Sequence, residues 1–344
     1  MTDLKLLIFG AGAIGTYIGG SLLASGQKVV FFDRPESAAQ IDANGLRLVI
    51  GEQSTRFENP EVQTTPEAAL QAGPFDAALV AVKSFDTAAL AQQFAHLKDQ
   101  FPPILCMQNG VENESVLGAV FGVDNIIAGT LTSAIGKPAP GTAVLERLRG
   151  IGIAAGHPVS ERLADQFNHA GLNARLYSSA SSMKWSKLLT NLLANASSAI
   201  LDMPPAEIYT HPGLYAMEVR QIREALAVMK QLGAEVVDLP GTPVKALALL
   251  MQAFPAWVGR PLAVRFLGRG RGKKMPSFHI DLHAGLTRSE VSYLNGAVAR
   301  FGEGLGVDTP VNRLLTDLLT QLAAGEIPLE TFQKQPEKLL TLLK

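Results

Sequence analysis

Lys5-Leu6-Leu7-Ile8-Phe9-Gly10-Ala11-Gly12-Ala13-Ile14-Gly15 decides the fold of this chain. An apolar run runs straight into a G-x-G-x-x-G spacing, and a stretch of helical pattern, Ile14–Ser25, follows. A strand, a glycine turn and a helix in that order are what a dinucleotide-binding βα unit requires. The first glycine permits the tight turn, the second lets backbone N–H groups approach a pyrophosphate, and the third lets helix pack closely on strand. The positive end of the helix then lies under the phosphates. Gly10, Gly12, Ala13, Ile14 and Gly15 are therefore the first cofactor-binding candidates.

Outward from this unit, Lys28–Phe32, Ala77–Val82 and Ile104–Met107 are further strand candidates, apolar enough to be buried on both faces. Helical patterns lie between, at Ile14–Ser25 and Phe85–Asp99, so the strands should form a parallel sheet with crossover helices. Ile126–Ala134, Thr142–Glu146 and Ile151–Ala155 predict an antiparallel extension of that sheet, with a turn at Pro138-Ala139-Pro140-Gly141. After the serine-rich Ser178–Ser182 the strands stop, and helices are predicted at Met183–Leu201, Leu214–Leu232, Val244–Ala253, Glu290–Leu305 and Val311–Ala324. The fold class is α/β: an N-terminal Rossmann-like dinucleotide-binding domain over residues 1–180, plus a C-terminal all-helical domain over 181–344.

The 344 residues are 47% hydrophobic, enough for a core in each half, and only 18% charged, which leaves apolar surface for contacts between domains or in a homodimer. A net charge of −1 argues against nucleic acid or a membrane surface as partner and for a small-molecule substrate. No apolar run reaches the ~20 residues that span a bilayer; the longest, Ala246–Val258, contains Gln252 and Pro255. The single cysteine, Cys106, excludes an intrachain disulfide and fits the reducing cytoplasm. Its apolar surroundings, Pro103–Met107, predict a buried, inert thiol.

Asp33-Arg34 ends the second strand. The carboxylate suits the ribose hydroxyls of NAD, whereas the guanidinium suits the 2′-phosphate of NADP. Asp33 can turn away, but an Arg beside the adenosine has little use without a phosphate. NADPH is therefore the expected cofactor, with NAD as the alternative. Lys83 and Asn109 follow later strands at the carboxyl edge of the sheet, where ligands of such folds bind. Lys83 is a candidate cofactor contact, and Asn109 could orient nicotinamide or substrate.

Lys187, Asn191 and Asn195, read as one helix, lie one turn apart on an otherwise apolar surface. Burying an ammonium and two amides is costly unless a polar ligand satisfies them. Hydride transfer to a carbonyl places negative charge on oxygen, and Lys187 can supply both a hydrogen bond and a proton there. Asn191 and Asn195 can hold the amine and substrate oxygens. Thr287-Arg288-Ser289-Glu290 has the spacing of a capping box before a helix Val291–Leu305. His279 and His283 stand at i, i+4, a spacing that can clamp a metal, but no third ligand has an obvious spacing, and no metal site is expected. The basic, glycine-rich segment Arg260–Lys274 reads as a solvated connection or as a mobile cationic loop.

The glycine fingerprint, Val82-Lys83, Gln108-Asn109-Gly110, Trp185-Ser186-Lys187-Leu188 with Asn191 and Asn195, Lys274-Met275-Pro276-Ser277, and Ser289-Glu290-Val291 leading to Leu294-Asn295-Gly296 occur in this order. In them the chain resembles the ketopantoate reductase (2-dehydropantoate 2-reductase) family, from Leu6 to about Leu322. The resemblance implies a Rossmann-like domain plus a helical domain with NADPH in the cleft between them. It implies reduction of a small 2-keto acid, first of all 2-dehydropantoate to pantoate in pantothenate biosynthesis, with Lys187 protonating the keto oxygen. Asn109, Asn191 and Asn195 would hold substrate or cofactor, Ser277 the substrate carboxylate, and Glu290 its distal hydroxyl, as a second catalytic residue. Arg34 would match the 2′-phosphate ligand and Lys83 a cofactor contact. The Ser277–Glu290 connection is one residue longer than the family's usual spacing. The alternatives are a 3-hydroxy-acid dehydrogenase of related architecture and a non-catalytic NADP(H)-sensing module.

Overall fold

Strand β1 (Lys5–Phe9) is apolar beyond its first residue because both of its faces are covered. Leu6 and Ile8 point into one core, with Phe31, Leu79 and Leu105. Leu7 and Phe9 point into the other, with Val30, Phe32, Val80, Ile104 and Cys106. The computed structural model describes residues 3–253, 256–265 and 274–343. Its other strands are β2 (Lys28–Phe32), β3 (Leu46–Ile50), β4 (Gln53–Phe57), β5 (Glu61–Gln63), β6 (Ala77–Val80), β7 (Ile104–Cys106), β8 (Ile126–Leu131), β9 (Ala134–Gly136), β10 (Thr142–Arg147), β11 (Ile151–Ala154) and β12 (Ala174–Tyr177).

The main sheet has the order β12-β11-β8-β7-β6-β1-β2-β5. From β5 to β8 every neighbouring pair is parallel, in the 3-2-1-4-5-6 order of a Rossmann fold. β11 then runs antiparallel to β8, as the sequence predicts. β9 and β10 do not extend this sheet. They join β3 and β4 in a separate four-stranded sheet, so the predicted strand Ile126–Ala134 is two strands in two sheets.

Among the helices, α1 (Ala13–Ala24) lies between the two sheets. A Cβ on Gly19 would stand 2.5 Å from the Phe31 ring, and one on Gly20 would stand 3.3 Å from Leu48. A helix covered on both sides has no use for a polar face, which explains why Ile14–Ser25 is apolar almost all round. The first half also contains α2 (Pro35–Asn44), α3 (Pro66–Gln71), α4 (Thr87–Phe94), α5 (Asn113–Phe121) and α6 (Ser160–His169). After them come α7 (Ala180–Leu192), α8 (Asn195–Leu201), α9 (Pro205–Thr210), α10 (Pro212–Gln231), α11 (Val244–Ala253), α12 (Ala256–Ala263), α13 (Ser277–His283), α14 (Asn295–Leu305), α15 (Pro310–Ala324) and α16 (Pro336–Thr341).

The chain divides into two compact units, residues 1–184 with 239–242, and residues 185–238 with 243–344; the division falls inside α7. Among the described residues no helix is long and apolar enough to cross a membrane. Within the apolar segment Ala246–Val258, residues 254–255 lie outside the described residues, as do residues 266–273 of the basic segment Arg260–Lys274.

The second unit is organised by α10, whose Glu218, Gln221 and Glu224 are buried along one side. Glu218 and Gln221 act where the predicted helix Met183–Leu201 breaks in two. Ala194 takes a left-handed conformation (φ +48°) between α7 and α8. The groups freed by the break find partners on α10. Gln221 Nε2 donates to the Leu192 carbonyl (2.8 Å), and Glu218 accepts from the Ala194 N–H (2.8 Å) and the Ser197 hydroxyl (2.6 Å). Glu224 in turn accepts from the N–H groups of Val311 and Asn312, in the first turn of α15.

The first unit contains a buried polar network beneath the loops that leave β6 and β7. Gln108 Nε2 donates to the Val82 carbonyl (3.0 Å) and to Thr87 Oγ1 (2.6 Å). Asn113 Nδ2 donates to the Asn109 carbonyl (2.6 Å), which Ser84 also reaches. At the base of the network the ammonium of Lys184, 4% exposed, uses its three N–H donors on the Gln108 carbonyl (2.7 Å), the Gly129 carbonyl (3.2 Å) and the Glu114 carboxylate (2.7 Å). Burial works to lower the Lys184 pKa, but the Glu114 charge and hydrogen bond leave it above the ordinary lysine value. The fully buried Cys106 thiol is pushed far up, first by burial and then by Glu114, which makes it inert.

Removing one partner of a buried ion pair strands the other charge. Lys184→Met is expected to lower the free energy of urea unfolding by on the order of 3 kcal/mol. Adding Glu114→Gln should restore part of that loss. Equal losses in the single and double variants would show that the stranded carboxylate is not the cause.

Candidate functional site

The register of the parallel strands aligns Phe9 with Phe32 and Val80, and Val80 with Cys106. The residues that follow therefore leave the sheet at one edge, and this brings Gly10, Asp33, Lys83 and Asn109 to the same end. Gly10 has φ +92°, where only glycine is unstrained. A Cβ on Gly15 would stand 1.9 Å from the Gly10 carbonyl, so helix and turn approach each other only because residue 15 is glycine. Gly12 differs: a Cβ there would meet nothing within 4 Å. It caps α1 with no side-chain hydrogen bond, so no cap side chain occupies the first N–H groups of the helix.

Asp33 turns back onto this loop. Its Oδ2 accepts from the Ala11 N–H (2.7 Å) and its Oδ1 from the Arg34 N–H (2.8 Å). Arg34 itself is exposed at the start of α2. Lys83 and Asn109 are half-buried, each at the head of a loop fixed by the network above Lys184.

The second unit carries the remaining candidates. Lys187 and Asn191 are half-buried on α7, while Trp185, Ser186, Leu188 and Leu189 around them are buried. Trp185 packs edge-on against Phe301 (5.4 Å between centroids), and Ser186 Oγ accepts from the Val237 N–H (2.9 Å). The break at Ala194 corrects the single-helix expectation: Asn195 opens α8 and does not continue the α7 face. Its amide bridges instead. Nδ2 donates to the Asn191 carbonyl (3.0 Å), and Oδ1 accepts from the Phe278 N–H (3.2 Å), the residue after Ser277. Asn191, Asn195 and Ser277 are thus linked through backbone, with Ser277 exposed at the start of α13.

Glu290 is 6% exposed and begins a 3-10 turn, Glu290–Tyr293, that precedes α14. The capping box is not formed as predicted. Ser289, not Thr287, is the cap, accepting from the Val291 N–H (3.2 Å), and Glu290 follows it directly. The predicted helix Glu290–Leu305 is accordingly a 3-10 turn and a separate α-helix. Sequence reasoning did not single out Lys184, Glu114, Glu218 or Gln221. For Lys184 a signal existed, since it stands between Met183 and Trp185 at the head of the apolar stretch that carries Lys187.

The family model for ketopantoate reductase PanE/ApbA matches residues 6–156, and the model for its C-terminal part matches residues 180–323. The 2-dehydropantoate 2-reductase of Halobacterium salinarum is 28% identical over 327 residues, covering 92% of this chain and 98% of that relative. The enzyme of the same name from Pyrococcus abyssi is 26% identical over 322 residues, 92% of this chain and 97% of its own. Among solved structures, the PanE/ApbA family ketopantoate reductase from Ralstonia eutropha JMP134 is 28% identical with a TM-score of 0.79, covering 94% of this chain and 99% of that one. D-mandelate dehydrogenase in complex with NADH and anilino(oxo)acetate shares the fold at 22% identity, with a TM-score of 0.76 and coverage of 94% and 99%. The two matched segments take in the glycine loop and the Lys187 helix, and the chain belongs to the ketopantoate reductase family of nicotinamide-dependent oxidoreductases.

Proposed function

We propose that this chain reduces 2-dehydropantoate to pantoate with NADPH, and that Lys187 is the proton donor to the keto oxygen. The observation that carries the proposal is the half-buried Lys187, set among buried neighbours on a helix that the family's C-terminal model covers. A lysine in that setting reaches a ligand from an apolar wall, where its charge acts more strongly than in water.

The residues of the first unit fit a dinucleotide. Gly12 leaves room for close approach, and α1 offers N–H groups that no side chain caps. Both Asp33 oxygens already accept backbone N–H bonds, which supports Arg34, and not Asp33, as the residue that discriminates between cofactors. Arg34 would pair with the 2′-phosphate, and Lys83 would contact the cofactor from the neighbouring loop. When bound, the reduced nicotinamide supplies the hydride that the C2 carbonyl carbon accepts. Lys187 Nζ hydrogen-bonds the keto oxygen, stabilises the charge that develops there and gives up its proton to form the alcohol. Asn109 and Asn191 orient substrate or cofactor with their amides. Asn195 has one amide N–H beyond its bond to Asn191, available to a substrate oxygen. Ser277 binds the substrate carboxylate, and the buried Glu290 accepts from its distal hydroxyl.

A panel of 2-keto acids assayed with NADPH and with NADH, following the reduced nicotinamide absorbance, tests the activity. The largest kcat/KM is expected for 2-dehydropantoate with NADPH; no keto-acid-dependent oxidation with any member would refute the reductase. Lys187→Ala should lower kcat about a hundredfold or more while leaving NADPH affinity nearly unchanged, measured by fluorescence titration. Turnover close to that of the unmodified enzyme would remove Lys187 from the chemistry. Arg34→Ala should weaken NADPH binding roughly tenfold or more and NADH binding little. Equal losses for the two cofactors would mean that Arg34 does not read the phosphate.

A further inference from the structure

We propose that Asp202, His279 and His283 form a binding site for a divalent transition-metal ion of the zinc type, outside the reductase machinery. The two imidazoles stand one turn apart on α13, with rings stacked at 4.0 Å between centroids and 27° between planes. Asp202, the third ligand that spacing alone did not reveal, lies 77 residues from His279 and arrives from the end of α8. It adopts a left-handed conformation there (φ +49°), which turns the chain at the corner where α13 passes.

The donor atoms of the three side chains lie within 4.8 Å of one another. Nε2 of His279 is 2.7 Å from Asp202 Oδ1, and Nε2 of His283 is 4.0 Å from the same oxygen. Ligands bound at 2.0–2.1 Å around a tetrahedral zinc stand roughly 3.3 Å apart. The two separations bracket that value, so small side-chain rotations convert the cluster into a coordination shell. Two neutral imidazoles and one carboxylate are a common donor set for zinc. The other carboxylate oxygen, Oδ2, accepts from Gln333 Nε2 (2.9 Å), an outer hydrogen bond of the kind that orients a metal-binding carboxylate. His283, with 39% of its side chain exposed, opens the remaining coordination position to water.

A metal here would be structural. The Asn195 amide already joins the start of α8 to the start of α13 through the Phe278 N–H. The ion would join the same two helices at the other end of α8, fixing the pair at two points.

The test is titration of chelator-treated protein with Zn²⁺ alone, by calorimetry, and with Co²⁺ alone, by its visible ligand-field bands. One Zn²⁺ per chain is expected at micromolar affinity, with a rise in melting temperature. His283→Ala and Asp202→Asn should each weaken binding tenfold or more and abolish that rise, with circular dichroism confirming that both variants are folded. His96→Ala, which alters the His96–Glu67 pair of the first unit, should bind as the parent does. Absence of stoichiometric binding at micromolar Zn²⁺ would overturn the proposal. So would titrations unchanged in folded His283→Ala and Asp202→Asn.

Discussion

A single buried ammonium holds together the part of the first unit that carries the candidate residue Asn109. Lys184 gives one N–H to each of three acceptors on three stretches of chain: the Gln108 and Gly129 carbonyls and the Glu114 carboxylate. Bringing these groups out of water is expensive, and it is offset only because every donor has a partner. The arrangement leaves little freedom to Gln108-Asn109-Gly110, since both ends of the Gln108 side chain and the Asn109 carbonyl are also tied down. Lys187, one turn further along α7, has the contrasting environment: half-buried, on a turn where its neighbours are buried. One helix therefore carries two lysines in different settings. The first is fixed in its charged form by Glu114 and sets a loop. The second is exposed enough to meet a ligand.

The second unit follows the same rule with opposite charge. Glu218, Gln221 and Glu224 recur every third residue of α10 and are buried together. Each satisfies backbone that its neighbours leave open: the gap between α7 and α8, and the first turn of α15. Burial raises the Glu224 pKa, and the bonds from Asn312 and Val311 act against that rise. The Asn312 amide also reaches Glu224 and the Gln221 carbonyl, and Asn295 donates to it, which gives the Leu294-Asn295-Gly296 motif a role in packing. These polar groups specify where helices begin and end more than they add net stability.

What the sequence made legible is local. The glycine turn, β1, β2 and α1 are determined by residues within a few positions of one another, and their spacing reports them directly. The break at Ala194 is not local: nothing in Asn191-Leu192-Leu193-Ala194-Asn195 stops a helix, and its stabilising partner, Glu218, lies 24 residues away. The small sheet was hidden for a different reason. β4 is polar except at Phe57, and in the two strands Leu46, Leu48 and Phe57 turn inward to the core that covers α1. Its trace in the sequence was indirect, in the absence of a polar face on α1. Glu290 shows the limit of motif spacing: Thr287 and Ser289 are both sound caps, and the chain uses the one that places Glu290 first in a tight turn.

The pair Asp33-Arg34 looks contradictory only while both side chains are imagined facing the same ligand. Asp33 accepts the Ala11 N–H from within the glycine turn, so its carboxylate acts on the protein's own backbone. That bond joins the ends of β1 and β2 at the level where the helix N–H groups are presented, which keeps the turn in shape for a phosphate. Both carboxylate oxygens accept backbone N–H bonds, while the Arg34 side chain is exposed. A carboxylate held in this way can coexist with a neighbouring guanidinium that binds a 2′-phosphate. The residue type that favours NAD in one orientation is thus compatible, in another, with the NADPH use proposed above.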